Sequence, residues 1–461
     1  MCLICFCKDK FQFHLRTVSQ MQGPSFEHTI THYMENFISS FNQHSSLGLC
    51  ENHQGFHILN KRLMEIGTDE IRNVFTQIHN IYVLWVNSNT VDSMKCLETL
   101  FKQYNLHEFT RYIDDDIFFR GRLSNIPLSE WDMYHIPFNK RYLIKNQRYS
   151  LGGQPILYLS SSPLGVFNEL NISREDIDTL NKLNICSFLL KSDSTPRKIL
   201  DFCNYFNSIS INDDCNMDFI QTTTTKVDTP EYISSMINNM IISTDNNDFN
   251  ESNAVLDVKS KFILMILASC CSFNLHKTIS EPFFIEEYVL PQLVAQHCQE
   301  NNFDGIIYAS CKTYKNNELN LSDDLSNYVD RFSDNLALFT TYSLDNSKDP
   351  LYVYDKNLYS LLKITSPLHI SPNLDNLDIK DIEKEFNCFI NDYSNKKITK
   401  ELQKITANKK ITLLTHIRSI LPHINEYFKL IEGKLHIILL YNLVIISKTD
   451  VYINDGGISH V

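Results

Sequence analysis

The sequence predicts an α+β protein, with a strand-bearing middle flanked by mainly helical N- and C-terminal regions. Three observations carry that prediction. Apolar residues recur at three- and four-residue spacing between 70 and 104, and from 117 to 310 they gather instead into short runs separated by turn residues. After about 370 the chain turns Lys-, Asn- and Ile-rich, again with helical periodicity. A length of 461 residues suits several domains. The texture changes place the boundaries so that 1–115 is N-terminal and helical, 116–370 holds the strands and 371–461 is a helical accessory or oligomerisation region.

Residues 70–86 put Ile71, Val74, Phe75, Ile78, Ile81, Tyr82 and Trp85 on one helical face. A second helix follows at 92–104, with Asn89, Thr90 or Asp92 available to cap it. The triplet Asp114-Asp115-Asp116 marks the boundary. Strands are expected at 117–120 (IFFR), 155–159 (PILYL) and 305–310 (GIIYAS), with turn chemistry at 151–155 and 302–305. Helices are expected at 165–171, 230–242 and 286–300, and later at 379–393 and 400–414. The polar stretch 243–254 reads as a mobile insertion.

Composition excludes several classes. With 42 Lys+Arg against 54 Asp+Glu the net charge is −12, which argues against a nucleic-acid binder, since phosphates demand a basic footprint. A small basic cleft remains compatible with that total. Scarce Gly (12) and Pro (13) exclude collagen-like and linker-rich architectures. The longest apolar runs, 262–272 and 437–446, are too short to span a bilayer, so no membrane partner is expected. The opening MCLICFCKDKF lacks the charge and length pattern of a secretory signal. Thirteen scattered Cys point to a reducing compartment, hence a cytoplasmic protein.

There is no G-x-G-x-x-G, Walker A, H-E-x-x-H or G-x-S-x-G motif. The anomaly is arginine. Of twelve, five (Arg111, Arg120, Arg122, Arg141 and Arg148) fall within 38 residues. Guanidinium groups clamp pyrophosphate oxygens bidentately. Tyr158, in a strand, could stack on a flat heterocycle, and Glu169 is an odd residue in an otherwise apolar helical segment. Spacing alone leaves surface arginines and a helix-face glutamate as the plainer reading.

The segment 117–370 resembles the RES domain family, whose members cleave NAD and are often bacterial toxins. Three blocks match in order: Phe119-Arg120-Gly121-Arg122; then Gln147-Arg148-Tyr149-Ser150, Gly153-Gln154-Pro155, Leu157-Tyr158-Leu159 and Glu169; then 288–293 (YVLPQL) and 304–310 (DGIIYAS). The resemblance is strongest to longer members with extra N-terminal sequence. It implies an ADP-ribosyltransferase-like core with a split β-sheet around NAD, the run 262–272 being a core element. It places the family's first Arg on Arg120, with Arg122 as the alternative, its second on Arg148, and its tyrosine, glutamate and serine on Tyr158, Glu169 and Ser310. Arg111 and Arg141 are left to the surface. The long polar insertion near 205–255 and the last ninety residues depart from the family.

Those residues suit rupture of the bond between ribose C1′ and the nicotinamide nitrogen. Glu169 would stabilise the oxocarbenium-like transition state, and Ser310 would hydrogen-bond the ribose. Arg120 and Arg148 would hold the pyrophosphate and Tyr158 would face the nicotinamide. The acceptor could be water (a glycohydrolase), phosphate (a phosphorylase) or a macromolecule (an ADP-ribosyltransferase). Degradation of free NAD, depleting the cell as a toxin or defence effector, is the leading expectation. The alternative from another class is a non-catalytic NAD- or partner-binding module. A toxin of this type implies an antitoxin or immunity protein on a separate polypeptide, and a homo-oligomer stays open. A second candidate site lies near the N-terminus, where Cys2-x-x-Cys5 and Cys50-x-x-His53 have the pairwise spacing of a structural zinc site, with Cys7 and His57 as competing ligands.

Overall fold

A computed structural model describes residues 2–8, 13–22, 25–113, 117–161, 163–172, 177–180, 182–190, 196–203, 258–275, 284–311, 334–342, 353–364 and 367–369. The expectations at 114–116, 230–242, 243–254, 379–393, 400–414 and 437–446 lie outside these residues. The α+β expectation holds: helices form one half of the described fold and a nine-stranded sheet the other.

The helical half begins with α1 (Leu3–Lys8), α2 (Phe13–Gln22) and α3 (Phe26–Ser45), followed by α4 (His57–Val86) and α5 (Thr90–Gln103). In α3 the buried residues Phe26, Ile30, Tyr33, Phe37 and Phe41 repeat every three or four positions, which lines one face. The helix expected at 70–86 is the second part of α4, which bends at Gly67, where φ is +70°. A residue without a Cβ takes that conformation with little strain. In α5 Asn89 takes the N-cap position, but its side chain accepts no first-turn backbone N–H; its own N–H donates to Asp92 Oδ2 at 2.9 Å.

Three short helices accompany the strands: α6 (Glu130–Met133), α7 (Pro163–Glu169) and α8 (Ile177–Leu180). Beyond them come α9 (Val258–Cys270), α10 (Val289–Glu300) and α11 (Lys356–Ser360). Every residue of α9 from Phe262 to Cys270 is buried. A helix apolar on all sides belongs in the middle of a core, and α9 sits there against α4. Edge-to-face aromatic contacts knit the surroundings, with Tyr33 on Phe75 at 5.5 Å and Phe37 on Phe262 at 5.7 Å between ring centroids.

The sheet comprises β1 (Thr110–Ile113), β2 (Ile117–Leu123), β3 (Ile156–Ser160), β4 (Leu183–Leu190), β5 (Arg197–Asp201), β6 (Gly305–Ala309), β7 (Asp334–Phe339), β8 (Leu362–Ile364) and β9 (Leu368–His369). Its order is β1-β5-β6-β7-β3-β2-β4-β8, with β9 also on β4. The pairings are antiparallel except for β5 with β6. The sheet is nearly two sheets. β2 pairs with β4 along seven residues but meets β3 through Phe119 and Ser160 alone. Strand alternation then sorts the side chains. Ile156, Tyr158, Ile306, Tyr308 and Ala337 turn toward the helical half, whereas Leu157, Leu159, Ile307, Leu336 and Leu338 join Met133, Tyr134 and Leu358 on the other face.

Candidate functional site

The helix that carries Glu169, α7, packs over the seam between β2 and β3. Gly121 makes this possible. A Cβ at that position would collide with Val166 of α7, with Leu183 and Leu170 close behind. Only a hydrogen there lets α7 lie down on β2. The last residue of α7, Glu169, then reaches the ends of β6 and β7. Its Oε1 accepts from Ser310 Oγ at 2.7 Å and from Asn335 Nδ2 at 2.7 Å. Ser310 has no exposed surface and Asn335 is 2% exposed. Two neutral donors on one oxygen hold the carboxylate in a fixed orientation.

Around this carboxylate the sheet presents polar groups on the face toward the helices. Ser160 on β3 lies opposite Asn335 on β7, which lies opposite Tyr308 on β6. The rings of Tyr149 and Tyr308 are 4.5 Å apart, and the Tyr158 hydroxyl donates to Ser150 Oγ at 3.2 Å and accepts from the Tyr149 N–H at 3.3 Å. Burial pushes both Tyr158 and Tyr308 above the ordinary phenol range, with the Glu169 charge adding to the effect at Tyr308. Both phenols therefore stay neutral donors at physiological pH. On this face Ser160 Oγ, Asn335 Oδ1 and Tyr149 Oη are buried without a hydrogen-bond partner among the described residues, as are Ser161 Oγ beyond the strand and Arg120 Nε on the opposite face. An unpaired buried polar atom is costly, so such a cluster calls for an explanation.

The arginines divide. Arg120 projects to the opposite face of β2 from α7, beside Cys186, and its Nη1 donates at 2.7 Å to the main-chain oxygen of Tyr158, across the seam where the ladder is open. Burial, with the Arg122 charge nearby, brings its guanidinium down to about 10, still charged at neutral pH. Arg122 lies on the same face of β2, tied to the main-chain oxygen of Asp132. Arg148 donates through Nη1 and Nη2 to the main-chain oxygens of Cys271 (2.9 Å) and Phe273 (2.8 Å), and lies 5.1 Å over the Tyr288 ring. It closes the carbonyl end of α9, a job that the spacing did not suggest. The structure thus brings Glu169 and Ser310 into contact, joins Arg120 to the Tyr158 backbone, and holds Arg122 apart. Arg111 is exposed, and Arg141, also exposed, rests over the Tyr342 ring.

Asn335 and Ser160 escaped the sequence reading. Their signal is a polar residue on the inward register of an apolar strand, visible only once the register is known. The pair Gly152-Gly153 serves as a turn, with Gly153 at φ +84° and the Gly152 N–H donating to Asn146 Oδ1 at 2.8 Å.

At the other end of the helical half, Cys2, Cys5, Cys50 and His53 form a group that could hold a metal ion. Their Sγ atoms lie 3.6–3.7 Å apart, and His53 Nδ1 is 3.5, 3.4 and 3.1 Å from Cys2, Cys5 and Cys50. Metal–sulfur bonds of about 2.3 Å in a tetrahedron give edges of roughly 3.8 Å, so these six separations fit one small tetrahedral ion. The competing ligands drop out, since Cys7 is buried outside the group and His57 is exposed. Among the described residues no helix is long and apolar enough to cross a membrane.

The chain is similar to a Bacillus subtilis (strain 168) protein named "Putative toxin YopC", with 30% identity over 220 residues. The match covers 46% of this chain and 41% of the length of that protein. No model of a protein family matches, and no solved structure matches.

Proposed function

We propose that the chain is an NAD-cleaving enzyme of the RES type, acting in the cytoplasm as a toxin or defence effector, with residues 116–370 as its catalytic domain. One observation carries the reading: Glu169 is fixed by Ser310 and Asn335 at the ends of β6 and β7, beside buried polar atoms that lack partners among the described residues. The similarity to a protein named as a toxin supports it. In this reading the Glu169 carboxylate stands by the ribose and stabilises the positive charge that develops at C1′ as the bond to nicotinamide breaks. Ser310 keeps Oε1 of Glu169 aimed at the sugar. Arg120, on the opposite face of β2 from Glu169, steadies the seam through the Tyr158 main chain. Arg148 retains three guanidinium N–H groups beyond the two that cap α9, and these face the phosphates. Free NAD is the substrate, water or phosphate the acceptor, and the matching antitoxin a separate protein.

We further propose that the Cys3His group holds a structural zinc. The donor set is closed, with four protein ligands and no position for substrate, so the ion would tie α1 to the turn at 51–53 and take no part in NAD chemistry.

Incubation of the purified protein with NAD, with nicotinamide release followed by chromatography, tests the enzymatic reading. Release that depends on Glu169 supports it. NAD binding without release would favour the non-catalytic module. Incorporation of labelled ADP-ribose into lysate proteins would favour the transferase.

A further inference from the structure

We infer that Asn335 reads a ribose hydroxyl of the substrate and is the specificity-determining partner of Glu169, an inference that rests on the NAD reading above. A carboxylate limits what its hydrogen-bond partners can be. Ionised, it accepts hydrogen bonds and donates none. The Asn335 atom 2.7 Å from Glu169 Oε1 must therefore be the amide nitrogen. This settles the orientation of the side chain, which an amide alone leaves ambiguous. The carbonyl Oδ1 then has to point elsewhere, and it is buried without a partner among the described residues. It is a strong acceptor in a place where an unmet acceptor is costly.

The neighbours say what would meet it. Across the β3–β7 pair, Ser160 is 3% exposed and its Oγ is likewise unpartnered among the described residues. On the other flank stands Tyr308, a neutral phenol. This part of the inward sheet face thus combines a carboxylate, an amide oxygen and a serine hydroxyl. Acceptors that converge in this way select a ligand rich in hydroxyl donors and disfavour an anion. A vicinal diol meets the requirement, one hydroxyl for Asn335 Oδ1 and the other for the Glu169 and Ser160 side. In NAD that diol is the ribose, and the reacting C1′ belongs to the ribose that Glu169 must approach. The phosphates would consequently lie on the Arg148 side. Fixing the 2′-hydroxyl through Asn335 would hold C1′ at the carboxylate.

The test measures kcat/KM for NAD and for the analogue lacking the 2′-hydroxyl of the nicotinamide ribose, in wild type, Asn335→Ala and Ser160→Ala. Circular dichroism melts confirm that each variant folds. The analogue differs intrinsically in reactivity, so the informative quantity is the change in the ratio of the two substrates between wild type and variant. Asn335→Ala removes a Glu169 donor for both substrates, so kcat/KM for the analogue should fall about tenfold, as for Ser310→Ala, and that for NAD about 10-fold further, collapsing the ratio. Ser160→Ala, which removes one oxygen atom from a folded site, should lower NAD turnover more weakly and in the same sense. If Asn335→Ala slows both substrates equally while wild type turns over NAD, the inference is overturned and the NAD reading stands. If wild type neither binds nor cleaves NAD, both fall.

Discussion

Glu169 accepts two hydrogen bonds on one oxygen, so its donors can be removed singly. Ser310→Ala leaves Asn335 in place and should cut NAD turnover about tenfold with little change in melting temperature, because Asn335 still holds the same carboxylate oxygen. Steady-state kinetics beside a thermal melt would show that split. Glu169, Ser310 and Tyr158 were legible through a resemblance between blocks of residues, and spacing alone would have left them as a helix face, a strand end and a rim phenol. Arg148 was legible as a cation out of place, yet its two carbonyl partners at the end of α9 lie more than 120 residues away and have no local signal. Asn335 was invisible because inward and outward positions of β7 differ by one residue, and only pairing with β3 and β6 decides which is which.

At the level of elements, the packing of α7 on β2 controls the site. Gly121→Ala would place a methyl against Val166 and push α7 outward. The expected result is a loss of about 1–3 kcal/mol in unfolding free energy, together with a larger loss of activity than Ser310→Ala gives, because Glu169 moves with the helix. Denaturant unfolding and turnover on the same preparation check both. A second junction joins the turn after α5 to α10. His107 Nε2 and His297 Nε2 lie 2.9 Å apart, so one must donate and the other accept, which a neutral pair can do and a doubly protonated pair cannot. Burial, with His107 adjacent, brings His297 down to about 4, and burial brings His135 to about 4 beside Asp355. Both folded values lie below the free-imidazole value of about 6.5. On acidification the unfolded chain therefore takes up protons first. Stability is full above about pH 6.5 and is lost as the pH falls toward 4, each histidine contributing on the order of 2–3 kcal/mol. Melts between pH 7.5 and 4.5 should show this decline, and His297→Gln should flatten it. Helices such as 70–86 and strands such as 155–159 were legible because each carries its own period. The seam between β2 and β3 was not, since it is defined by hydrogen bonds that are absent.

For the whole molecule, the helical half and the sheet share one continuous apolar core that runs from Cys2 through Phe37 and Phe262 to Tyr308. The Cys3His group closes the far end of that core. Zinc analysis of the purified chain should give about one ion per molecule, and a Cys2→Ser, Cys5→Ser double variant should lose it and melt at lower temperature; an unchanged metal content would remove the zinc assignment. The sequence pairs Cys2-x-x-Cys5 and Cys50-x-x-His53 were visible by spacing, but their meeting depends on α3 returning the chain to α1. The arginines clustered in the sequence part company in space: Arg120 and Arg122 share one face of β2, Arg148 binds the carbonyl end of α9, and Arg111 and Arg141 are exposed. The central claim is that Glu169 governs cleavage of NAD, and quantifying nicotinamide released from NAD by wild type and by Glu169→Gln tests it most directly. Wild type should release nicotinamide, and the variant should lose at least about 100-fold of that rate at unchanged NAD affinity. Equal release by the two proteins would contradict the claim.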